Sequence, residues 1–107
     1  MNKQEFVERL AERAGFTKKD ARKAIDGAIE LINQALASNE AVNIAGFGKF
    51  EPRARKASNR INPRTGEKFK VPAKVVPAFK PGRNLREIVD KKLKAVGQGD
   101  QLTVKRA

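Results

Sequence analysis

Cysteine, histidine, tryptophan and tyrosine are all missing from this chain of 107 residues. Without cysteine no disulfide framework can form, and a reducing cytoplasm is the simplest compartment. Without histidine or cysteine, a zinc site and a Cys/His nucleophile pair are excluded. Without tryptophan or tyrosine, an aromatic platform for single-stranded bases lacks its usual parts. No apolar run approaches a membrane span, and Met1-Asn2-Lys3-Gln4-Glu5 has no secretory signal pattern. There is no Gly-rich phosphate loop. Glu5, Glu8 and Glu12 share a helix face with Arg9 and Arg13 and read as surface ion pairs worth little each. The chain therefore reads as non-enzymatic, with no cofactor, no metal and no membrane partner.

What the chain does have is positive charge, unevenly spread. The net charge is +12. Residues 1–45 are neutral: Lys3, Arg9, Arg13, Lys18, Lys19, Arg22 and Lys23 balance seven acids. Residues 46–83 carry eleven cations against only Glu51 and Glu67. The first part reads as scaffold and the middle as an anion-binding device.

Within that middle, Arg60-Ile61-Asn62-Pro63-Arg64-Thr65-Gly66-Glu67 joins two basic, strand-like runs, and Pro63 and Gly66 mark it as a turn. Lys49, Arg53, Arg55 and Lys56 precede it; Lys68, Lys70 and Lys74 follow. A long hairpin so rich in cations has little of its own to pack against, and makes physical sense as an arm lying on a polyanion. A proline at its tip is a stiff apolar plate with no N–H to desolvate, the kind of wedge that minor-groove proteins push between base pairs.

Before the arm, Asn2 and Glu5 have capping-box spacing. A helix should follow with Phe6, Val7, Leu10, Ala11 and Ala14 on one face. Gly15 stops it. Thr17 caps a second helix whose stripe runs through Ala21, Ala24, Ile25, Ala28, Ile29, Ile32, Ala35 and Leu36, and Ser38-Asn39 ends it. Strands are expected over Ala41–Ala45, Lys49–Ala57 and Phe69–Phe79. Pro52, Pro72 and Pro77 exclude central strand positions and fit open edges or bulges. Asn84 should cap a short helix with Leu85, Ile88 and Val89 inward. The domain spans residues 1–94, with the arm at about 54–74. Residues 95–107 lose periodicity and read as a flexible basic tail.

Without arm and tail, roughly 70 residues remain, a size at which a single core is marginal. The wide apolar arc of the second helix, together with Phe47, Phe50 and Phe79, exceeds what one thin sheet can cover. An intertwined homodimer solves both problems, with Ile29, Ile32, Leu36, Ile44, Phe47, Phe50 and Phe79 as its core. Of the phenylalanines, Phe6 and Phe16 also read as core, and only Phe69 is a candidate for base stacking.

These residues carry a resemblance. Met1-Asn2-Lys3, Lys18-Lys19-Asp20-Ala21, Gly46-Phe47-Gly48-Lys49-Phe50-Glu51, Asn62-Pro63-Arg64-Thr65-Gly66-Glu67 and Val76-Pro77-Ala78-Phe79-Lys80-Pro81-Gly82 follow one another at compatible spacings. The chain resembles the HU/IHF family of bacterial histone-like DNA-architectural proteins along residues 1–93. The resemblance implies an α+β fold: a helical hairpin base, a three-stranded antiparallel sheet with a long β-ribbon arm, a short C-terminal helix, and an intertwined homodimer. It implies a nucleoid protein that binds double-stranded DNA through the minor groove with little sequence preference, favouring bent or nicked forms. Pro63 would intercalate. Arg53, Arg55, Lys56, Arg60, Asn62, Arg64, Lys68, Lys70 and Lys74 would lie along DNA, Lys80 and Arg83 beside the saddle, and Lys3 on the flank. Two other functions stay open: a site-specific bender of the IHF type, and an RNA-binding basic protein. The family usually has a small residue and then a basic one before Asn-Pro, where this chain has Arg60 and Ile61. Ile61 is then either an extra wedge or a residue packed under the turn.

Overall fold

Two side-chain caps fix where the helices begin. Asn2 Oδ1 accepts from the Glu5 N–H at 2.9 Å, and α1 runs over Lys3–Ala14. Thr17 Oγ1 accepts from the Asp20 N–H at 3.1 Å and starts α2, Lys18–Ala37. Each cap satisfies an N–H that the first helical turn leaves unpaired. Gly15 closes α1 and Ser38 closes α2, as expected. The seam between the helices holds the buried apolar core: Val7, Ala11 and Ala21, with Leu10 and Ile25 packed against it. The computed structural model describes residues 1–107.

The chain continues as β1 (Val42–Ile44), β2 (Gly48–Arg55), β3 (Ser58–Ile61), β4 (Lys68–Val71), β5 (Lys74–Pro81), α3 (Arg83–Lys92), β6 (Leu93–Val96) and β7 (Thr103–Arg106). The strands form a three-stranded antiparallel sheet in the order β1-β2-β5, and the ribbons β3-β4 and β6-β7. The fold is α+β, with the helical hairpin, sheet and arm in the expected order.

One register runs from the sheet to the end of the arm. Gly48 pairs with Pro81, Arg55 with Lys74, Ser58 with Val71 and Ile61 with Lys68, so no residue is gained or lost. The return strand expected over Phe69–Phe79 is nevertheless interrupted at 72–73, and the outgoing one, expected to end at Ala57, stops at Arg55 and resumes at Ser58. Proline parity explains the position of the break. Pro52 lies directly opposite Pro77. Two opposed prolines can only be a non-hydrogen-bonded pair, where neither N–H is asked of the ladder. Pro81 is an even step further and costs nothing either. Pro72 is an odd step away, so it falls where the ladder needs a donor, and the ladder opens there.

The sheet places Phe50 opposite Phe79, with ring centroids 4.8 Å apart, and Phe47 lies 5.1 Å from Phe79. Gly48 makes room for this cluster: a Cβ there would lie 2.6 Å from the Phe79 ring. Yet the single chain buries only Val7, Ala11, Ala21 and Gly48. Its radius of gyration is 19.0 Å, against about 13 Å for a compact domain of this length.

Several expectations change. Residues 95–107 are not irregular: they complete the β6-β7 hairpin. Asn84 is not a cap. Gly82 precedes α3 and no side chain caps that helix. Ile88 and Val89 on α3 are largely open, as are Phe6 and Phe16, because the single chain offers nothing to cover them. No helix is long and apolar enough to cross a membrane.

Candidate nucleic-acid interface

Strand alternation sorts the sheet into two chemically opposite faces. Successive side chains point to opposite sides. Phe50, Pro52 and Ala54 pair with Phe79, Pro77 and Val75 on the apolar face. Lys49, Glu51, Arg53 and Arg55 pair with Lys80, Ala78, Val76 and Lys74 on the other. That second face sets Lys49 against Lys80 and Arg55 against Lys74. Like charges directly opposite one another are unfavourable unless an anion lies between or over them.

Glu51 is the one acid in this field. Its carboxylate takes a hydrogen bond from Arg53 at 3.3 Å and an ion pair with Lys49 at 3.4 Å. The Arg53 hydrogen bond holds the Glu51 carboxyl below the usual carboxylate range. Lys49 and the nearby charge of Lys80 act in the same direction, against some desolvation. Lys49 and Glu51 were absent from the contact set that the resemblance implied. The signal was present in the alternation through Lys49, Arg53 and Arg55.

The arm carries cations on both sides. In β3-β4, Asn59 and Ile61 pair with Lys70 and Lys68 on one face, while Arg60 pairs with Phe69 on the other. Arg60 borders Lys68 and Lys70 in one cleft at the edge of the ribbon, although strand alternation sets it on the opposite face. It also lines a cleft of about 250 Å³ with Arg55, Lys56, Lys74, Phe69 and Pro72. Ile61 does not pack under the turn: it is 62% exposed and sits across from Lys68.

The tip is built around Asn62. Its Oδ1 accepts from the Arg64 N–H at 2.9 Å, its carbonyl accepts from the Gly66 N–H at 2.8 Å, and its own N–H donates to the Glu67 carbonyl at 2.8 Å. This is an Asx-turn closed by a glycine at φ 71°, a conformation glycine adopts without a Cβ penalty. Thr65 Oγ1 adds a bond from the Glu67 N–H at 3.3 Å. Oδ1 of Asn62 is thus engaged inside the turn, and Pro63 and Arg64 stand exposed at its crest.

Two expected contact residues are engaged elsewhere. Lys3 forms an ion pair with Asp26 at 2.7 Å, tying α1 to α2. Arg83 donates to Glu87 at 2.9 Å on α3. Both pairs are exposed, so they hold these cations weakly. No group of three or more His, Cys, Asp or Glu side chains could hold a metal ion.

The family described as bacterial DNA-binding protein matches residues 1–90. The DNA-binding protein HU of Geobacillus stearothermophilus is 47% identical over 89 residues, spanning 83% of this chain and 99% of that one. HU 1 of Bacillus subtilis is 45% identical, with 83% and 97% covered. Among solved structures, a cocrystal of Anabaena HU with DNA is similar at a TM-score of 0.79 and 47% identity, covering 84% of this chain and 98% of that one. HU from Thermotoga maritima is similar at a TM-score of 0.61 and 39% identity, covering 84% and 100%. With the match spanning all but the C-terminal hairpin, the chain belongs to the bacterial DNA-binding protein family that includes HU, a family without enzymatic activity.

Proposed function

We propose that this protein is an architectural DNA-binding protein of the bacterial nucleoid, acting as an intertwined homodimer. It binds double-stranded DNA through the minor groove with little sequence preference and bends it by inserting Pro63. The observation that carries this reading is the combination at the arm: one unbroken register, opposed cations, and an exposed proline on a hydrogen-bonded tip. The cations supply affinity by releasing counterions from phosphate. They cannot by themselves hold two base pairs apart. Pro63 fills that gap, and because the Asn62 turn already fixes its position, little entropy is lost on insertion. Preference then follows the cost of deforming the duplex, so nicked or bent DNA, where the kink is partly made, binds tighter than straight DNA.

The dimer is supported by what the single chain leaves open. Ile29, Ile32, Ile44, Phe47 and Phe50 line one apolar cleft of about 560 Å³. Leu36 lines another with Pro52, Val75, Val76 and Pro77. Ile29, Ile44, Phe47 and Phe79 are 48%, 43%, 42% and 39% exposed, which is untenable for residues at the centre of a stable domain.

The test is a competition at matched salt among straight duplex, nicked duplex and structured RNA, with a selection of bound genomic fragments. Preference for nicked duplex without enrichment of a motif supports the proposal. Enrichment of one motif would assign a site-specific bender, and preference for RNA would assign an RNA-binding protein.

A further inference from the structure

The β6-β7 hairpin follows the segment shared with the family, which ends at residue 90. Its register sets Lys94 directly opposite Lys105, beside the pairs Leu93–Arg106 and Ala95–Val104. Neither lysine takes part in any of the ion pairs of the structure. The hairpin is closed by backbone bonds alone at its base, where the Ala107 N–H donates to the Lys92 carbonyl at 2.9 Å, and by Thr103 Oγ1 donating to the Val96 carbonyl at 3.2 Å near its loop. Its apolar support is thin: Leu93 and Val96 are half-buried, but Leu102 is 58% exposed and Val104 72%. An unsupported two-stranded hairpin is marginal in water, and two ammonium groups directly across from one another make it worse.

Lys91 and Lys92 have an ordinary explanation. They sit in the last turn of α3, where cations favour the helix dipole. Lys94 and Lys105 have none within the chain. What satisfies an opposed pair of ammonium groups is an anion set between them. The neutral residues 1–45 offer no surplus of acid, and the molecule as a whole is strongly cationic, so a second copy of the chain is a poor source.

We infer that this hairpin is a second phosphate-binding element, in which Lys94 and Lys105 straddle the backbone of duplex DNA outside the stretch held by the arms. The inference rests on the reading of double-stranded DNA as the partner. On this account the hairpin is weakly formed in the free protein and firmly formed on DNA. Each protomer's hairpin adds two phosphate contacts, four in the dimer, and lengthens the bound site without taking part in the bend.

Lys94→Glu separates binding from folding, because it replaces a repulsive cross-strand pair with an attractive one. In the free full-length protein it should strengthen the hairpin, read as slower amide exchange at Val96, Thr103 and Lys105, whose N–H groups face the partner strand. On straight duplex it should flatten the dependence of log affinity on log salt by about 3.6 for the dimer, two contacts from each of its two hairpins, each worth about 0.9. Between 50 and 200 mM salt the parent should thus lose about 150-fold more affinity than the variant. Lys94→Gln with Lys105→Gln should flatten the slope equally, and the bend angle should not change in either. An unchanged salt slope overturns the inference. So does a hairpin already fully protected in the free dimer and indifferent to DNA, which would mean that it docks on the partner protomer. The parent is the control: if it fails to bind duplex at all, the broader reading of function falls, and this inference with it.

Discussion

Arg55 and Arg60 line the same cleft of the arm although they are five residues apart on the outgoing strand. In an uninterrupted strand an odd separation puts two side chains on opposite faces. The opening of the ladder at 56–57 and 72–73 brings them to one side, and Pro72 is its cause. The break is thus a device that lets the base of the arm and its outer half present cations together.

Replacing Pro72 with Thr restores the missing donor. Amide exchange through residues 56–58 and 70–73 should slow, consistent with one added ladder bond worth about 1 kcal/mol. Arg60 should turn away from Arg55 and Lys74, and the salt slope on DNA should fall by about 1.8, one phosphate contact in each arm of the dimer. Pro77→Thr, at a position that needs no donor, should leave exchange in the arm unchanged. Equal effects from the two substitutions would mean that parity does not govern the break.

The exposed apolar clefts make a prediction about assembly. If Ile29, Ile32, Leu36, Ile44 and the Phe47–Phe50–Phe79 cluster are covered only by a second copy, folding and dimerisation are one event. The melting temperature should then rise with protein concentration. A melting temperature that stays fixed over a hundredfold dilution would contradict the intertwined dimer.

Glu51 limits the charge of the face it occupies. Glu51→Gln should free Lys49 and Arg53, tighten binding to all duplexes, and steepen the salt slope by about 0.9 for each cation released to phosphate. Because the folded state holds this carboxyl below its ordinary range, its pairing contributes to stability above the unfolded pKa. That contribution is lost as pH falls through the lowered folded value. The group is exposed, so the effect on stability is small and the effect on binding is the one to measure, by titrations in parallel for parent and variant.

The tip depends on Asn62 and Gly66 rather than on packing. Asn62→Ala removes the Asx bond to the Arg64 N–H, while Asn62→Asp keeps an acceptor in place. The alanine variant should bend DNA less while retaining most affinity for straight duplex, and the aspartate variant should bend more than the alanine one. Gly66→Ala forces a Cβ into the left-handed region, at a cost of roughly 1–2 kcal/mol, and should disorder the tip. Bend angles by energy transfer decide both.

Much of this was legible in the sequence because it rests on local rules. The caps Asn2 and Thr17, the stop at Gly15 and the turn at Pro63-Gly66 each follow from neighbours a few residues away. The break at Pro72 is not legible from the positions of the prolines alone, because parity matters only once the pairing register is known. The hairpin over 93–106 was missed for a similar reason: four-residue strands without apolar alternation leave no periodic signal. Asn84 was misread as a cap because its residue type fits, whereas the chain enters α3 two residues earlier at Gly82. The uneven split of arm cations between two faces also needed the register, since spacing alone cannot tell which side of a broken ribbon a side chain takes.

The central claim is that cations hold the DNA and Pro63 bends it. The most direct test is Pro63→Ala, measured by an energy-transfer or ring-closure bend assay together with affinities for straight and nicked duplex. The kink costs a few kcal/mol per unstacked step, and only an inserted group stabilises the opened step. The account predicts nearly unchanged affinity for straight duplex, a sharply smaller bend, and loss of the preference for nicked DNA, whereas Arg55→Ala weakens all duplexes about equally. A Pro63→Ala variant that bends DNA as well as the parent would contradict the account, and would move the wedge to Ile61, the exposed apolar residue two positions before it.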